Sequence, residues 1–276
     1  MLNQAEADRL NHLCRQFRKD LIEVLHERQT GHPGGSLSVC EILTVLLFEE
    51  MRIDPDHPDR IDRDRLILSK GHAAPMLYRV LAERGFFPVE EFHTLRKLNS
   101  RLQGHPCLLD TPGVDMTSGP LGLGLSVGLG AAIGLKKQGL SSRVYVVLGD
   151  GELNEGTVWE AVMSASKFHP ENLTTIVDYN GVQLDGPTSV IMPEGDLKAK
   201  FEAFGWQVLT CDGHNVADLY DSLQKAKTIT GKPVVIIAKT VKGKGVSFME
   251  GQNAWHGKAI DDAHYEIAIS ELGGTD

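Results

Sequence analysis

The sequence has few cysteines, a deficit of positive charge and no long apolar run. Its four cysteines are scattered and include no C-x-x-C pair, which argues against structural zinc or a disulfide framework and fits a reducing cytoplasm. No run approaches the ~20 apolar residues that a membrane helix needs, and residues 1–10 do not resemble a signal peptide. Lysine and arginine total 28 against 37 acidic residues, a net charge of −9, so neither nucleic acid nor a membrane is an expected partner.

The composition that remains is that of a globular protein, with 41% hydrophobic and 24% charged residues in 276. A chain of this length can bury a substantial core. Short β-prone runs alternate with helical patterns, and no linker, repeat or low-complexity stretch interrupts them. This alternation predicts a single α/β domain over residues 1–276, doubly wound around a mainly parallel sheet and flanked by helices.

Local patterns predict the individual elements. Helices are expected over residues 3–28, 42–48, 74–83, 196–204 and 215–228, and strands over residues 65–69, 145–148, 173–177, 207–210 and 233–238. Ser38-x-x-Glu41 and Thr157-x-x-Glu160 are expected helix-start boxes. Residues 30–35 are expected to break the first helix, and the C-terminal tail shows little pattern.

The pattern from residue 144 to residue 180 predicts strand, acidic turn, helix, strand and polar turn. Gly149-Asp150-Gly151 follows the first apolar run, and Asp178-Tyr179-Asn180 follows the second. This spacing suits one right-handed βαβ crossover, which would bring Asp150 and Asn180 to the carboxyl edge of the sheet. Oxygen-bearing side chains beside glycines suit Mg²⁺ that carries a diphosphate. The alternative is an acidic turn in an ordinary α/β protein.

A second pattern is the pairing of histidine with glycine in predicted turns. Of 11 histidines, five adjoin a glycine, namely His32, His72, His105, His214 and His256. Neutral imidazole donates and accepts protons near pH 7, and imidazolium stabilises a developing oxyanion, so a ring of imidazoles would suit carbonyl and hydroxyl chemistry. The sequence leaves open whether these rings meet in space or are ordinary surface or partly buried histidines.

Together these motifs resemble the N-terminal, diphosphate-binding portion of the transketolase family. The matching segments are residues 31–36, 68–72, 104–106, 113–122, 149–156, 178–181, 212–215, 241–245 and 255–258. They cover nearly the whole chain in order, which makes the resemblance far more specific than the acidic turn alone. The resemblance implies the thiamine diphosphate-binding fold, in its diphosphate-binding type of domain.

The resemblance also implies a role for each matching residue. Asp150, Asn180 and the carbonyl of Val182 would bind Mg²⁺, for which Ca²⁺ or Mn²⁺ could substitute. His32, His105 and His256 would face the sugar oxygens and move protons, while Glu155 would lie at a subunit interface in a network with the activating glutamate. The residues implied to contact thiamine diphosphate are His72, Gly119, Pro120, Leu121, Gly149, Asp150, Gly151, Glu152, Asn180, Lys242 and His256.

The implied activity is transfer of a two-carbon ketol unit from a ketose or ketose phosphate to an aldose. Transketolases are more than twice this length, and this sequence ends at Asp276, soon after the His256 loop. We therefore expect a split enzyme in which this chain is the N-terminal subunit. A separately encoded C-terminal subunit would supply the pyrimidine-binding domain and the activating glutamate, and two copies of each chain would form a heterotetramer.

Two other functions remain open from the sequence. One is the α-subunit of a 2-oxo acid dehydrogenase, which also uses an acidic turn of this kind but a different histidine set. The other is a non-catalytic, thiamine diphosphate-binding regulatory subunit. The sequence does not identify the donor and acceptor sugars, because the groups that recognise them are expected mostly in the partner chain.

Overall fold

A five-stranded parallel sheet organises the chain, with the strand order β1-β2-β3-β5-β4. The computed structural model describes residues 1–274, so residues 275 and 276 of the predicted domain lie outside the described residues. The strands are β1 Arg65–Leu68, β2 Val144–Gly149, β3 Leu173–Tyr179, β4 Gln207–Asp212 and β5 Val234–Lys239. The prediction of a single domain over residues 1–276 stays a prediction.

Helices connect the strands and cover both faces of the sheet. They are α1 Gln4–Arg28, α2 Pro33–Ser38, α3 Cys40–Val45, α4 Ala74–Glu83, α5 Gly124–Lys137, α6 Gly156–Phe168, α7 Thr188–Ile191, α8 Leu197–Ala203, α9 Val216–Thr228 and α10 Asp262–Glu271. A π-helical turn, Leu46–Glu50, extends α3. Within residues 1–274, no helix combines the length and the apolar character that crossing a membrane requires.

Alternate side chains of the strands pack into two hydrophobic cores. Tyr145 and Val147 of β2 join the core formed with α1, α3, α4 and α9, whereas Val144, Val146 and Leu148 join the core formed with α5, α6 and α8. This alternation follows from the two-residue period of a strand, and because helices cover both faces the strands are apolar throughout. The doubly wound α/β fold predicted from the sequence is therefore confirmed.

The predicted crossover between residues 144 and 180 is also confirmed. β2, α6 and β3 follow one another in the chain, and β2 pairs with β3 in parallel, with Gly149 opposite Asp178. The turns after these two strands therefore lie side by side at the carboxyl edge of the sheet.

Two of the predicted helix starts are wrong. Ser38 ends α2 instead of capping the next helix, and its hydroxyl donates to the buried carboxylate of Asp178 at 2.6 Å. Thr157 lies inside α6, which begins at Gly156 without a side-chain cap. In both places the residue types fit a capping box, and at Ser38 the tertiary bond to Asp178 takes the hydroxyl that would have capped the helix.

Two further helices were missed. Residues 33–35, expected to break the first helix, start α2, because Pro33 stands in the first turn where its missing N–H costs nothing. The tail expected to lack pattern contains α10, where Asp261 caps the helix by accepting from the backbone N–H of His264 at 2.9 Å.

Candidate active site

The turns after β2 and β3 bring Asp150 and Asn180 together, as the sequence predicts. One carboxylate oxygen of Asp150 accepts from Gly151 N at 2.8 Å, and the other accepts from Gly181 N in the neighbouring turn. The side-chain oxygen of Asn180 accepts from Val182 N at 3.1 Å. The buried carboxylate of Asp150 thus joins the turns after β2 and β3. Oxygen atoms of Asp150, Asn180 and Val182 therefore lie at the same carboxyl edge of the sheet.

This oxygen set fits a small divalent cation. Asp150 is only 2% exposed, and burial, followed by the neighbouring charge of Asp178, raises the pKa of the Asp150 carboxyl to about 6. A buried carboxylate of this kind gains stability from a cation that oxygens ligate. Among residues 1–274, no group of three or more His, Cys, Asp or Glu side chains could hold a metal. A site of one carboxylate, one amide and one carbonyl does not require such a group, since Mg²⁺ completes its shell with phosphate and water.

Four of the five glycine-linked histidines form one cluster, and two of them, His72 and His256, line the cleft at the sheet edge. The ring centroids of His32 lie 5.5 Å from those of His72 and His256 and 6.2 Å from that of His105. The centroids of His72 and His256 are 4.9 Å apart. These rings come from loops far apart in the sequence, so the cluster exists only because the sheet edge gathers those loops.

The clustered imidazoles are neutral near pH 7. Burial, then the charge of Arg96, lowers the pKa of His32 to about 4. Burial, then Lys242, lowers the pKa of His256 to about 3, and burial, then Lys70, holds the pKa of His72 well below its usual range. The pKa of His105 is also lowered, first by partial burial and then by Arg96. Each ring therefore offers one donor nitrogen and one acceptor nitrogen.

Lys242 connects the histidine cluster with the Asp150 edge. Its ammonium group donates to the carbonyl of Val182 at 3.0 Å and to Nδ1 of His256 at 2.9 Å. The second bond makes Nδ1 of His256 an acceptor, so the neutral ring carries its proton on Nε2. Burial, followed by the charge of Lys70, lowers the pKa of Lys242 to about 8. A cation therefore lies at the edge where the predicted metal and diphosphate would bind.

A buried ion pair forms the floor of the cleft, and sequence reasoning gave it no role. The ammonium of Lys70 contacts the carboxylate of Asp178, and the two side chains are 1% and 0% exposed. Asp178 also accepts from the hydroxyls of Ser38 and Thr240. Burial alone would raise the pKa of Asp178, but Lys70 and these hydroxyls lower it below its usual value. The available signal was an aspartate within a buried strand, which requires a partner.

Glu152 organises the loop that carries Gly119, Pro120 and Leu121. Its carboxylate accepts from Gly122 N at 2.7 Å, from Gly149 N at 3.0 Å and from the hydroxyl of Ser69. Both oxygens are thus occupied by the protein itself, and the loop is fixed against the end of β2. An ideal Cβ on Gly119 would lie 3.9 Å from the ring of His105, and Leu121 lines the cleft.

The cleft itself has a volume of about 210 Å³. Its lining contains predicted residues from both the oxygen edge and the histidine cluster, including Gly149, Asp150, Gly151, Asn180, His72 and Lys242. It also contains Gly35, from the matching segment 31–36, and Gln183 and Leu184, which the sequence did not single out. Gly35 leaves little room, because a Cβ there would lie 3.2 Å from Nε2 of His72.

Two residues of the sequence motifs lie apart from this cleft. Glu155 is exposed at the N-terminus of α6, a position open to another chain. His214, the fifth glycine-linked histidine, instead pairs with the buried Glu41 at 2.9 Å and so does not join the imidazole cluster. Its ring also accepts a hydrogen bond from Val241 N at 2.8 Å.

The family model described as "Transketolase, thiamine diphosphate binding domain" matches residues 10–275. The 6-deoxy-6-sulfo-D-fructose transketolase subunit of Clostridium sp. (strain MSTE9) is 42% identical over 263 residues, which are 95% of this chain and 96% of that subunit. An apulose-4-phosphate transketolase subunit of Actinobacillus succinogenes is 43% identical over 242 residues, which are 88% of this chain and 87% of that subunit.

Solved structures agree with these relatives. A crystal structure of transketolase from Campylobacter jejuni has a TM-score of 0.89 and 31% identity, over 99% of this chain and 43% of that chain. The fold, the matched residues and the relatives of similar length therefore agree. This chain belongs to the transketolase family and corresponds to its thiamine diphosphate-binding domain.

Proposed function

We propose that this chain is the N-terminal subunit of a two-chain transketolase, which transfers a two-carbon ketol unit from a ketose or ketose phosphate to an aldose. The observation that carries the proposal is the joining of two sites at one sheet edge. The oxygens of Asp150 and Asn180 suit a metal-held diphosphate, and the rings of His32, His72 and His256 gather beside them with centroids 4.9–5.5 Å apart.

In this proposal the residues at the edge hold the cofactor. Asp150, Asn180 and the carbonyl of Val182 bind Mg²⁺, with Ca²⁺ or Mn²⁺ as substitutes, and Lys242 adds positive charge for the diphosphate. Gly151 gives the phosphates close access to the backbone, while the loop fixed by Glu152 presents Gly119-Pro120-Leu121 to the aromatic rings of the cofactor. Thiamine diphosphate held in this way would supply the nucleophilic carbon for ketol transfer.

In this proposal the imidazoles transfer protons to and from the oxygens of the sugar. Because His32 and His105 are neutral, they can accept a proton from a sugar hydroxyl and return it to a carbonyl oxygen, whereas His256 takes part in the proton transfers as a donor. Nε2 of His256 carries the hydrogen, as its bond with Lys242 requires, and therefore begins as a donor. His72 lies deeper in the cluster and is proposed to contact the diphosphate.

The partner chain completes the site in this proposal. Relatives of this length are named as subunits, and the two named above carry different ketoses in their names, 6-deoxy-6-sulfo-D-fructose and apulose 4-phosphate. We therefore assign the sugar class only as a ketose or ketose phosphate. The exposed Glu155 would contact the activating glutamate of the C-terminal subunit in a heterotetramer. Four free cysteines among the described residues fit the cytoplasm.

The test is to mix this chain with the C-terminal subunit encoded beside it, together with Mg²⁺ and thiamine diphosphate. We expect ketol transfer from at least one ketose phosphate by the mixture and nearly none by either chain alone. Oxo acid decarboxylation coupled to lipoamide would instead favour a 2-oxo acid dehydrogenase. Full turnover by a complex carrying His256→Ala would favour a regulatory subunit, since acid–base groups usually contribute at least ~100-fold.

A further inference from the structure

A buried network links the first helix of the chain to the turn after β4. Arg18 of α1 makes a two-pronged ion pair with Glu41 of α3, with both nitrogen–oxygen distances 2.7 Å. Glu41 in turn accepts from Nδ1 of His214 at 2.9 Å. The three side chains are 7%, 7% and 13% exposed, so water does not compete strongly for these bonds.

The two bonds of His214 define its tautomer and its role. Nε2 accepts from Val241 N at 2.8 Å, so the ring hydrogen must lie on Nδ1, where it is donated to Glu41. His214 therefore holds a backbone amide of the loop that follows β5. Val241 is the residue directly before Lys242.

The same network holds this loop, and the turn of His32, at other points. Nε of Arg18 donates to the carbonyl of Lys244 at 3.1 Å, and Nη2 donates to the carbonyl of Leu37 in α2 at 3.3 Å. α2 begins directly after His32. One network therefore contacts both α2, the helix that follows His32, and the loop that bears Lys242, which donates to His256.

We propose that His214, oriented by Glu41 and Arg18, is a positioning residue that sets the placement of Lys242 and His256 through the amide of Val241. The inference rests on the proposed ketol transfer for its functional consequence. It assigns a purpose to the Asp212-Gly213-His214 segment, whose residues do not line the cleft.

Two variants of the chain in complex with its C-terminal subunit separate the two bonds of His214. His214→Asn retains an amide donor near the position of Nδ1 but leaves Val241 N without an acceptor. His214→Gln can present an oxygen near the position of Nε2 and so retains the bond to Val241. His214→Asn loses a neutral hydrogen bond and His214→Gln loses the stronger bond to the Glu41 carboxylate, so His214→Gln should melt no higher than His214→Asn.

The first readout is amide hydrogen exchange in residues 241–245. We expect exchange to rise about fivefold in His214→Asn and to stay within about twofold of wild type in His214→Gln, because a lost neutral hydrogen bond is worth about a factor of five. In the assembled enzyme, kcat of His214→Asn should fall by about tenfold or more, with KM nearly unchanged, because small displacements of positioned groups lower turnover.

Glu250→Ala is the matched control, because Glu250 holds the same loop at Gly245 N and not at Val241. It should speed exchange around residue 245 and leave kcat unchanged. Equal exchange and equal kcat in the Asn and Gln variants would overturn the proposal, and so would wild-type values in His214→Asn. An inactive wild-type complex would contradict the proposed function instead, while the exchange result would still decide the placement of the loop.

Discussion

Removing the charge of Lys70 should destabilise the chain strongly. Lys70→Met leaves the carboxylate of Asp178, which is 0% exposed, with only the hydroxyls of Ser38 and Thr240 as donors. Breaking a buried ion pair at one partner typically costs about 3–5 kcal/mol, because the remaining charge is buried without compensation. We expect the free energy of unfolding at pH 7.5 to fall by that amount.

The loss in unfolding free energy caused by Lys70→Met should also depend on pH, because burial affects the pKa of the Asp178 carboxyl. In the wild type the pKa of Asp178 is lowered, so its stabilising contribution is present above the usual carboxyl range and constant between pH 5 and pH 7.5. Without Lys70, burial should raise this pKa above its unfolded value. The folded variant then gains a proton at low pH, so the loss in unfolding free energy should be larger at pH 7.5 than at pH 5.

Urea denaturation of the cofactor-free chain at both pH values measures this effect. Lys239→Met is the matched control, since Lys239 is exposed at the end of β5 and its replacement should change stability by no more than about 0.5 kcal/mol. Adding Asp178→Asn to Lys70→Met should restore about 2 kcal/mol and remove the pH dependence. A loss below about 1 kcal/mol in Lys70→Met, equal at both pH values, would refute the reasoning.

The remaining predictions concern the imidazoles, the loop and the partner. The pKa values of His32 and His256, about 4 and about 3, mean that only the unfolded chain binds these protons as pH falls below ~6.5, so each ring should lower stability by up to about 2 kcal/mol between pH 7 and pH 5, while protonation of Asp150 offsets part of this loss. Urea titrations should show a smaller drop in His32→Asn; an equal drop would contradict this. Glu152→Gln places a donor against Gly122 N or Gly149 N, and isothermal titration should show cofactor affinity at least ~10-fold weaker, by analogy with lost supporting bonds. Glu155→Gln, at an exposed position, should leave the melting temperature unchanged and weaken binding of the partner subunit in analytical ultracentrifugation; unaltered assembly and activity would contradict its interface role.

The fold was predictable where one local signal determined the structure. The β-prone runs around residues 145–148 and 173–177 are short and rich in β-branched residues, which favours strands covered on both faces, and the spacing between them fits one crossover. The helix at residues 74–83 was predicted with the bounds of α4. The helix start at Ser38 was not predictable from residue types, because Ser38 is bonded to Asp178 on a distant strand.

The candidate site also contains contacts that the sequence predicts and contacts that only the fold reveals. Asp150 and Asn180 follow strands that pair with each other, so their meeting could be foreseen from the sequence alone. The contact of His32 with His256 required the fold, since their loops are joined by no local pattern. Lys70 and Asp178 were overlooked because a buried ion pair leaves no periodic signal in the sequence. His214 adjoins a glycine like the clustered histidines, and only the fold shows that its partners are Glu41 and Val241.

The most direct test of the proposed site is titration of thiamine diphosphate into the assembled complex, with and without Mg²⁺. Quenching of tryptophan fluorescence, to which the buried Trp255 beside His256 contributes, offers a readout independent of turnover. We predict tight, Mg²⁺-dependent binding by the wild type. Asp150→Asn should bind at least ~100-fold more weakly, since even supporting residues around a metal contribute 10–100-fold. Equal, Mg²⁺-independent binding by the two proteins would contradict the assignment of the Asp150–Asn180 edge as the metal-held diphosphate site.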